Sequence, residues 1–343
     1  MRYRILGRSG LRVSTFALGT GNFGKGWGYG TEVAEARKIY DAYRSAGGNF
    51  IDTADQYQFG QAESMLADFI SKDRDDIVLA TKYSLGATHG AGLQHTGNSR
   101  KAMVQSVEAS LKRLKTDRID LLWVHMPDGV TPIEEIARGL DDLSRGGKIL
   151  YGGLSDFPAW RCATAATLAE LRGWAPVVAV QMEYSLVERT AERELLPMTA
   201  AFGLAPVIWS PLGGGLLTGK YRKGEQGRAQ GLGVVIQHES DERRAATLDA
   251  VLEIAGELGV SPGQVAIAWT LSRGVLPILG PRTLEQFTDN LAAADVRLSE
   301  AQLIRLDEVS ATPLGFPHEV VAKTAAVLAG SKPELIDRHV AVR

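Results

Sequence analysis

Asp52, Tyr57, Lys82 and His125 are residues whose types make a proton-transfer device if a fold brings them together. A free phenol, with a pKa of about 10, is a poor acid and a worse base near neutrality. An ammonium beside it favours the phenolate, and an aspartate keeps that ammonium charged and in place. A histidine close by orients a carbonyl oxygen or relays a proton. The assembled set suits protonation of a carbonyl oxygen as hydride reaches its carbon, and it needs no metal. Each residue alone has a plainer reading. Asp52 also suits a helix cap, Lys82 an ion pair with Asp52, His125 a satisfied core position and Tyr57 simple packing.

The elements that must position these residues are legible as short apolar runs. Candidate strands are Phe16–Gly19, Asn49–Asp52, Ile77–Lys82, Ile119–His125, Ile149–Gly152, Val177–Gln181, Ala205–Trp209 and Leu276–Gly280. Helical patterns fall between them, at Glu32–Ala46, Ser99–Leu114, Ile133–Ser144 and Pro158–Leu171. Further helices fit Ala191–Ala201, Ala245–Leu258, Pro262–Ser272 and Leu284–Ala294. Ser261-Pro262 pairs a cap residue with proline at a first helical position, and Gly47-Gly48, Gly146-Gly147 and Gly203 follow helices. Strict alternation of strand and helix demands parallel strands, because only a crossover returns the chain to the same edge.

The expected fold is α/β, a (β/α)8 TIM barrel rather than an open sheet, formed by residues 1–343 as a single domain. Its core spans about residues 3–294, with an extended polar, Gly-rich loop at Tyr221–Glu242 after the seventh strand and a C-terminal tail at about 312–343. In such a barrel chemistry sits at the C-terminal strand ends. Asp52, Lys82 and His125 close the second, third and fourth strands, Gln181 the sixth, and Trp209-Ser210 the seventh.

Bulk properties narrow the function classes. The 343 residues are 45% hydrophobic and 23% charged, with a formal net charge of -2, so no basic excess exists to hold nucleic acid. Cys162 is the single cysteine and cannot form an intrachain disulfide; a helix position suits it. The N-terminus lacks a signal-like apolar run and no stretch reaches 18 apolar residues, so the expected location is cytoplasmic, away from the membrane. His89 and His95 lack companion ligands at useful spacing, so no metal is expected.

Two phosphate motifs read as decoys. Gly19-Thr20-Gly21-Asn22-Phe23-Gly24 follows a strand, but Lys25–Gly30 prolongs the loop where a dinucleotide fingerprint needs a helix. Gly214 to Lys220 nearly spells a P-loop, yet Tyr221 stands where the Mg²⁺-binding hydroxyl belongs.

Gly48-Asn49-Phe50-Ile51-Asp52-Thr53-Ala54-Asp55-Gln56-Tyr57, Leu79-Ala80-Thr81-Lys82 and Leu121-Leu122-Trp123-Val124-His125-Met126-Pro127-Asp128 resemble the aldo-keto reductase superfamily. So do Val180–Leu186 and Trp209–Tyr221, and the likeness runs in order from about Tyr3 to Ala294. The chain looks like the bacterial and fungal branch that acts on aryl alcohols and aldehydes. The resemblance implies an NADP(H)-dependent oxidoreductase, with NAD(H) left open, in which Tyr57 is general acid in reduction and base in oxidation. It implies Lys82 and Asp52 as the tyrosine's partners and His125 as the group placing the carbonyl. It assigns Ser155 and Gln181 to the nicotinamide carboxamide and Trp209 to the ring, with Gly19, Thr20, Ser210 and Pro211 nearby. Leu212, Gly214 and Lys220 match a loop over the pyrophosphate, and Gly280, Arg282, Gln286 and Asn290 a segment around the adenosine end. Arg282 is assigned to the 2′-phosphate, since guanidinium suits its geometry and charge.

Asp156 departs from the family, which usually has asparagine there; a carboxylate accepts but does not donate. On the substrate side, Trp27, Tyr29, Met126, Asp128 and Phe316 lie in loops expected to shape a pocket for an apolar or aryl carbonyl or alcohol. Two other readings stay open: a nicotinamide-binding interaction or sensor protein resembling potassium-channel β-subunits, and a barrel isomerase using the Lys82 amine as a Schiff base. A homo-oligomer is compatible with the sequence.

Overall fold

The computed structural model describes residues 1–225, 227 and 237–336. Its centre is a closed barrel of parallel strands: β3 (Ala17–Gly19), β4 (Phe50–Asp52), β5 (Val78–Tyr83), β6 (Ile119–Val124), β7 (Ile149–Ser155), β8 (Val177–Glu183), β9 (Ala205–Trp209) and β10 (Leu276–Leu279). Each strand pairs with the next, and β10 returns to β3, so no edge is left unpaired. This is the (β/α)8 barrel that the alternation predicts.

The surrounding helices are α1 (Val33–Ser45), α2 (Gln61–Ile70), α3 (Arg100–Leu114), α4 (Ile133–Arg145), α5 (Ala159–Arg172), α6 (Leu195–Phe202), α7 (Glu242–Leu258), α8 (Pro262–Ser272), α9 (Leu284–Ala292), α10 (Glu300–Val309) and α11 (His318–Leu328). Their starts follow local chemistry. The Ser261 hydroxyl accepts from Gln264 N at the head of α8, and Ser299 with Gln302 forms a reciprocal capping box on α10.

Strand alternation divides the apolar residues between two sides. Ala17, Phe50, Ala80, Leu121, Trp123, Ala179 and Val207 fill the barrel, while Leu122, Val124, Leu154 and Val180 join the layer facing the helices. Trp123 dictates the glycine beside it: a Cβ on Gly153, its register partner, would lie 2.4 Å from the indole ring. The N-terminal hairpin, β1 (Tyr3–Ile5) with β2 (Arg12–Ser14), packs Leu6 and Val13 into the same inner cluster. It meets the strand starts at Val178 and Ala205, leaving the opposite, C-terminal mouth for the polar residues.

The structure corrects several sequence expectations. Gln61–Ile70 is a helix that the segments named from the sequence do not include. The single helix expected over Ala191–Ala201 is a 3-10 turn at Thr190–Glu192 followed by α6. The tail expected from about residue 312 contains α11, tied to the body where His318 Nε2 lies 2.9 Å from Glu194 Oε1. Tyr221–Glu242 falls partly outside the described residues, at 226 and 228–236.

Candidate active site

The centre of the site comes from adjacent strands. Asp52 ends β4, and Lys82 lies near the end of β5, two residues beyond the register partner of Asp52. Both side chains are buried, an expensive place for isolated charges. They are paired: Lys82 Nζ donates to Asp52 Oδ2 at 2.5 Å, to the Thr53 carbonyl at 3.0 Å and to the Tyr57 hydroxyl at 2.8 Å. These three contacts match the three ammonium protons. Burial alone would lower the lysine's pKa, but the Asp52 charge and Tyr57 outweigh it, and the net shift is upward. The other Asp52 oxygen accepts from Gln181 Nε2 at 2.9 Å, reaching across from β8.

Tyr57 is delivered by an unusual turn. Its amide donates to the Ala54 carbonyl at 3.2 Å, and the next residues, Gln58 (φ 52) and Phe59 (φ 54), are both left-handed before Gly60 starts α2. That conformation is costly for residues with a Cβ, so something must hold it. Gln58 does so with its amide, which is fully buried. Its Nε2 donates to the Gly21 and Tyr29 carbonyls at 2.9 and 3.0 Å, and its Oε1 accepts from Trp27 N at 3.0 Å. Gln58 therefore ties the loop after β3 to the turn carrying Tyr57. Trp27 in that loop stands edge-on to Tyr57, with ring centroids 6.0 Å apart, and also contacts Phe59. Sequence reading missed Gln58, because only its backbone conformation and distant partners reveal its role.

His125 follows β6, its amide bonded to the Tyr83 carbonyl at 2.9 Å. Its ring is perpendicular to Tyr57 at 6.0 Å, and no described residue bonds Nδ1. Burial, aided by the Lys82 charge, pushes its pKa down to about 3, so the imidazole is neutral near pH 7. Met126 is exposed beside it and presents its carbonyl to Asn98 Nδ2. Asp128 serves the loop instead of the mouth. Its carboxylate accepts from Asn98 N, Val130 N, Thr131 N and the Thr131 hydroxyl. Burial would raise its pKa, but those bonds win and hold it at about 2. Phe316 is exposed on the tail.

Most of the residues expected around a cofactor lie at or just after the C-terminal ends of β3, β7, β8, β9 and β10. Thr20 is buried after Gly19, with its hydroxyl and amide both bonded to the Asp52 carbonyl. Ser155 ends β7 opposite Gln181 of β8. Asp156 follows with φ 58 and accepts from Trp209 Nε1 at 3.0 Å. Ser210 is also left-handed, and Pro211 is buried behind it. Gly213, Gly214 and Gly215 are three consecutive left-handed residues after Leu212, a path that suits glycine. Tyr221 Oη donates to the Gly214 carbonyl at 2.8 Å.

Lys220 and Arg282 converge from separate loops. Burial lowers the Lys220 pKa, and the neighbouring Arg282 charge lowers it further. No described residue bonds the buried Arg282 Nε, while its guanidinium lies over the Tyr29 ring at 4.8 Å. Tyr29 is thus at the Arg282 side of the mouth as well as beside the loop facing Tyr57. Two cations brought together, one with an unused buried donor, suit an anionic oxygen group. Gln286 Oε1 accepts from Arg282 N at 2.9 Å, fixing the turn after Gly280, and Asn290 is buried on α9. Asn22 Nδ2 joins the first and last barrel loops by donating to the Gly280 carbonyl at 2.8 Å.

Comparison with known proteins agrees with the barrel fold. The Aldo/keto reductase family model matches residues 15–311. A norsolorinic acid reductase of Aspergillus flavus is 35% identical, the match covering 94% of this chain and 84% of that protein. An aryl-alcohol dehydrogenase [NADP(+)] of Phanerodontia chrysosporium is 36% identical, covering 90% and 86%. The oxidoreductase YrpG of Bacillus subtilis is 37% identical, covering 94% of this chain and all of its own length. With a closed eight-stranded barrel and a family match across most of its length, this chain belongs to the aldo-keto reductase family of oxidoreductases.

Proposed function

We propose that the protein, acting through residues 1–343 as one barrel unit, is an NADP(H)-dependent reductase that interconverts carbonyl compounds and alcohols. The observation that carries this reading is the buried Asp52–Lys82–Tyr57 relay, with neutral His125 across the phenol. A bound nicotinamide supplies or accepts hydride at the substrate carbon. The Tyr57 hydroxyl gives its proton to the carbonyl oxygen in reduction and recovers it in oxidation. Lys82 stabilises the phenolate left behind, and Asp52 keeps Lys82 charged and aimed. His125, uncharged, donates or accepts a hydrogen bond at the substrate oxygen without competing for the proton.

The residues present fit the cofactor chemically. Ser155, Asp156, Gln181 and Trp209 offer polar partners and an aromatic face at the strand ends, suited to a nicotinamide. Thr20, Ser210 and Leu212 flank it, and Gly214 and Lys220 lie in the loop assigned to the pyrophosphate. Arg282, with its buried Nε free of described partners, suits a 2′-phosphate, which favours NADP(H) over NAD(H). Trp27, Tyr29, Met126 and Tyr57 give the mouth an aromatic and apolar side, which favours an aryl carbonyl substrate.

A Schiff-base role for Lys82 fits poorly. Such a lysine must be a free amine, whereas this one is charged, buried and hydrogen-bonded three ways.

Purified protein mixed with NADPH or NADH and a panel of aryl and aliphatic aldehydes tests the proposal through nicotinamide absorbance. Aldehyde-dependent oxidation with NADPH preferred is the expected result. Tight cofactor binding with no oxidation by any aldehyde contradicts the reductase reading and favours the sensor alternative.

A further inference from the structure

Asp156 is a carboxylate whose charge the surrounding protein does not match. It sits at the mouth of the barrel after Ser155, in a left-handed conformation with φ 58 that aspartate tolerates better than most residues. Its Oδ1 accepts from Trp209 Nε1 at 3.0 Å, its Oδ2 from the Ser155 hydroxyl at 3.4 Å, and its amide donates to the Gln181 carbonyl at 2.9 Å. Among the described residues no lysine, arginine or histidine forms an ion pair with it. Lys82 acts on it only through space, and Glu183 on β8 adds a like charge nearby. The contrast with Asp52 is sharp, since that carboxylate has its own ammonium.

The hydrogen bond to Trp209 does not require this charge. An asparagine would present the same oxygen to the indole and accept the same left-handed backbone. What aspartate adds is a negative charge in a partly desolvated mouth, where it is costly unless a cation arrives. This inference rests on the nicotinamide reading above, in which Trp209 and Ser155 border the ring. The oxidised nicotinamide ring carries a positive charge, and the reduced ring is neutral.

We propose that Asp156 makes the site select the oxidised, cationic form of the nicotinamide over the reduced form. The preference makes the bound reduced cofactor a stronger hydride donor, because hydride loss creates the cation that Asp156 stabilises. It also holds the oxidised cofactor after carbonyl reduction, slowing its release. Asp156 is a positioning and electrostatic residue; the proton still comes from Tyr57.

The test is binding without a carbonyl substrate. Dissociation constants for NADP⁺ and NADPH are measured by fluorescence titration at about pH 8, well above the ordinary aspartate range, because burial raises the Asp156 pKa against the opposing Trp209 bond and Lys82 charge. Wild type, Asp156→Asn and Asp156→Ala are compared. In Asp156→Asn the preference for NADP⁺ over NADPH should fall on the order of tenfold, with NADPH affinity changed little. Asp156→Ala, which also loses the acceptor for Trp209, should show the same fall plus a loss common to both forms. An NADP⁺-to-NADPH affinity ratio unchanged in Asp156→Asn overturns the proposal. Failure of wild type to bind either form overturns the nicotinamide reading itself, and this inference with it.

Discussion

Lys82 Nζ reaches the Tyr57 hydroxyl at 2.8 Å while holding Asp52 at 2.5 Å, so the phenol and the carboxylate share one buried ammonium. The lysine also lies 4.5 Å from the centre of the Tyr57 ring, close enough for its charge to act on the whole phenol. Removing any one member therefore affects both stability and chemistry, and the two effects separate by design.

Asp52→Ala leaves the Lys82 charge buried without its partner. Loss of one partner of a buried pair costs about 3–5 kcal/mol, so urea unfolding should show a deficit of that order. The double variant Asp52→Leu/Lys82→Met removes both charges and should recover most of the stability. Its turnover should stay depressed by at least about a hundredfold, since the phenol has lost its cation.

Gln58 couples the Trp27 loop to the Tyr57 turn through three hydrogen bonds. Gln58→Gly suits the left-handed backbone but releases the clamp. Aldehyde KM should rise several-fold, equivalent to about 1 kcal/mol in total or one net hydrogen bond, while NADPH affinity holds. An unchanged KM would mean that the loop is fixed by other contacts.

Arg282 is the residue assigned to the 2′-phosphate. Arg282→Leu should weaken NADPH on the order of tenfold or more, as expected for a charge-assisted phosphate contact, and leave NADH nearly unaffected. Equal losses for both cofactors would place Arg282 outside phosphate recognition.

Asp55 lies behind the relay, buried between β5 and α3, and its pKa is raised to about 7. Burial is the largest cause, followed by repulsion from Glu63; the Arg113 charge and hydrogen bonds from Gln56 and Ser106 act the other way. The folded protein thus keeps a proton that the unfolded chain releases near pH 4. Stability from this group is fully present below that value and falls as pH rises towards 7. Asp55→Asn should therefore gain stability relative to wild type between about pH 4 and pH 8, by roughly 2–4 kcal/mol. Chemical denaturation across that range measures it, and a pH-independent difference contradicts an Asp55 proton.

The barrel was legible because short apolar runs alternate with helical patterns along the chain, and several of those runs end in a polar residue. Asp52, Lys82 and His125 stand out in their segments for that reason, and the structure gathers them with Tyr57. The resemblance to the family supplied their roles; spacing alone left an ion pair, a core histidine and a packed tyrosine. Gln58 was not legible, since its function depends on a positive φ and on partners about thirty residues away. Helix α2 was missed because it begins directly after left-handed Gly60, without a side-chain cap, and buries Glu63 among its apolar residues. Gln181 was expected to face the cofactor, and its bond to Asp52 emerges only when β4 and β8 meet across the barrel.

In the proposed reaction the Tyr57 hydroxyl supplies the proton. The direct measurement is NADPH-dependent aldehyde reduction by Tyr57→Phe, beside an NADPH binding titration on the same protein. Turnover should fall by about two to four orders of magnitude, with NADPH affinity within a few fold of wild type. A Tyr57→Phe protein that reduces aldehydes at the wild-type rate would contradict that role for Tyr57.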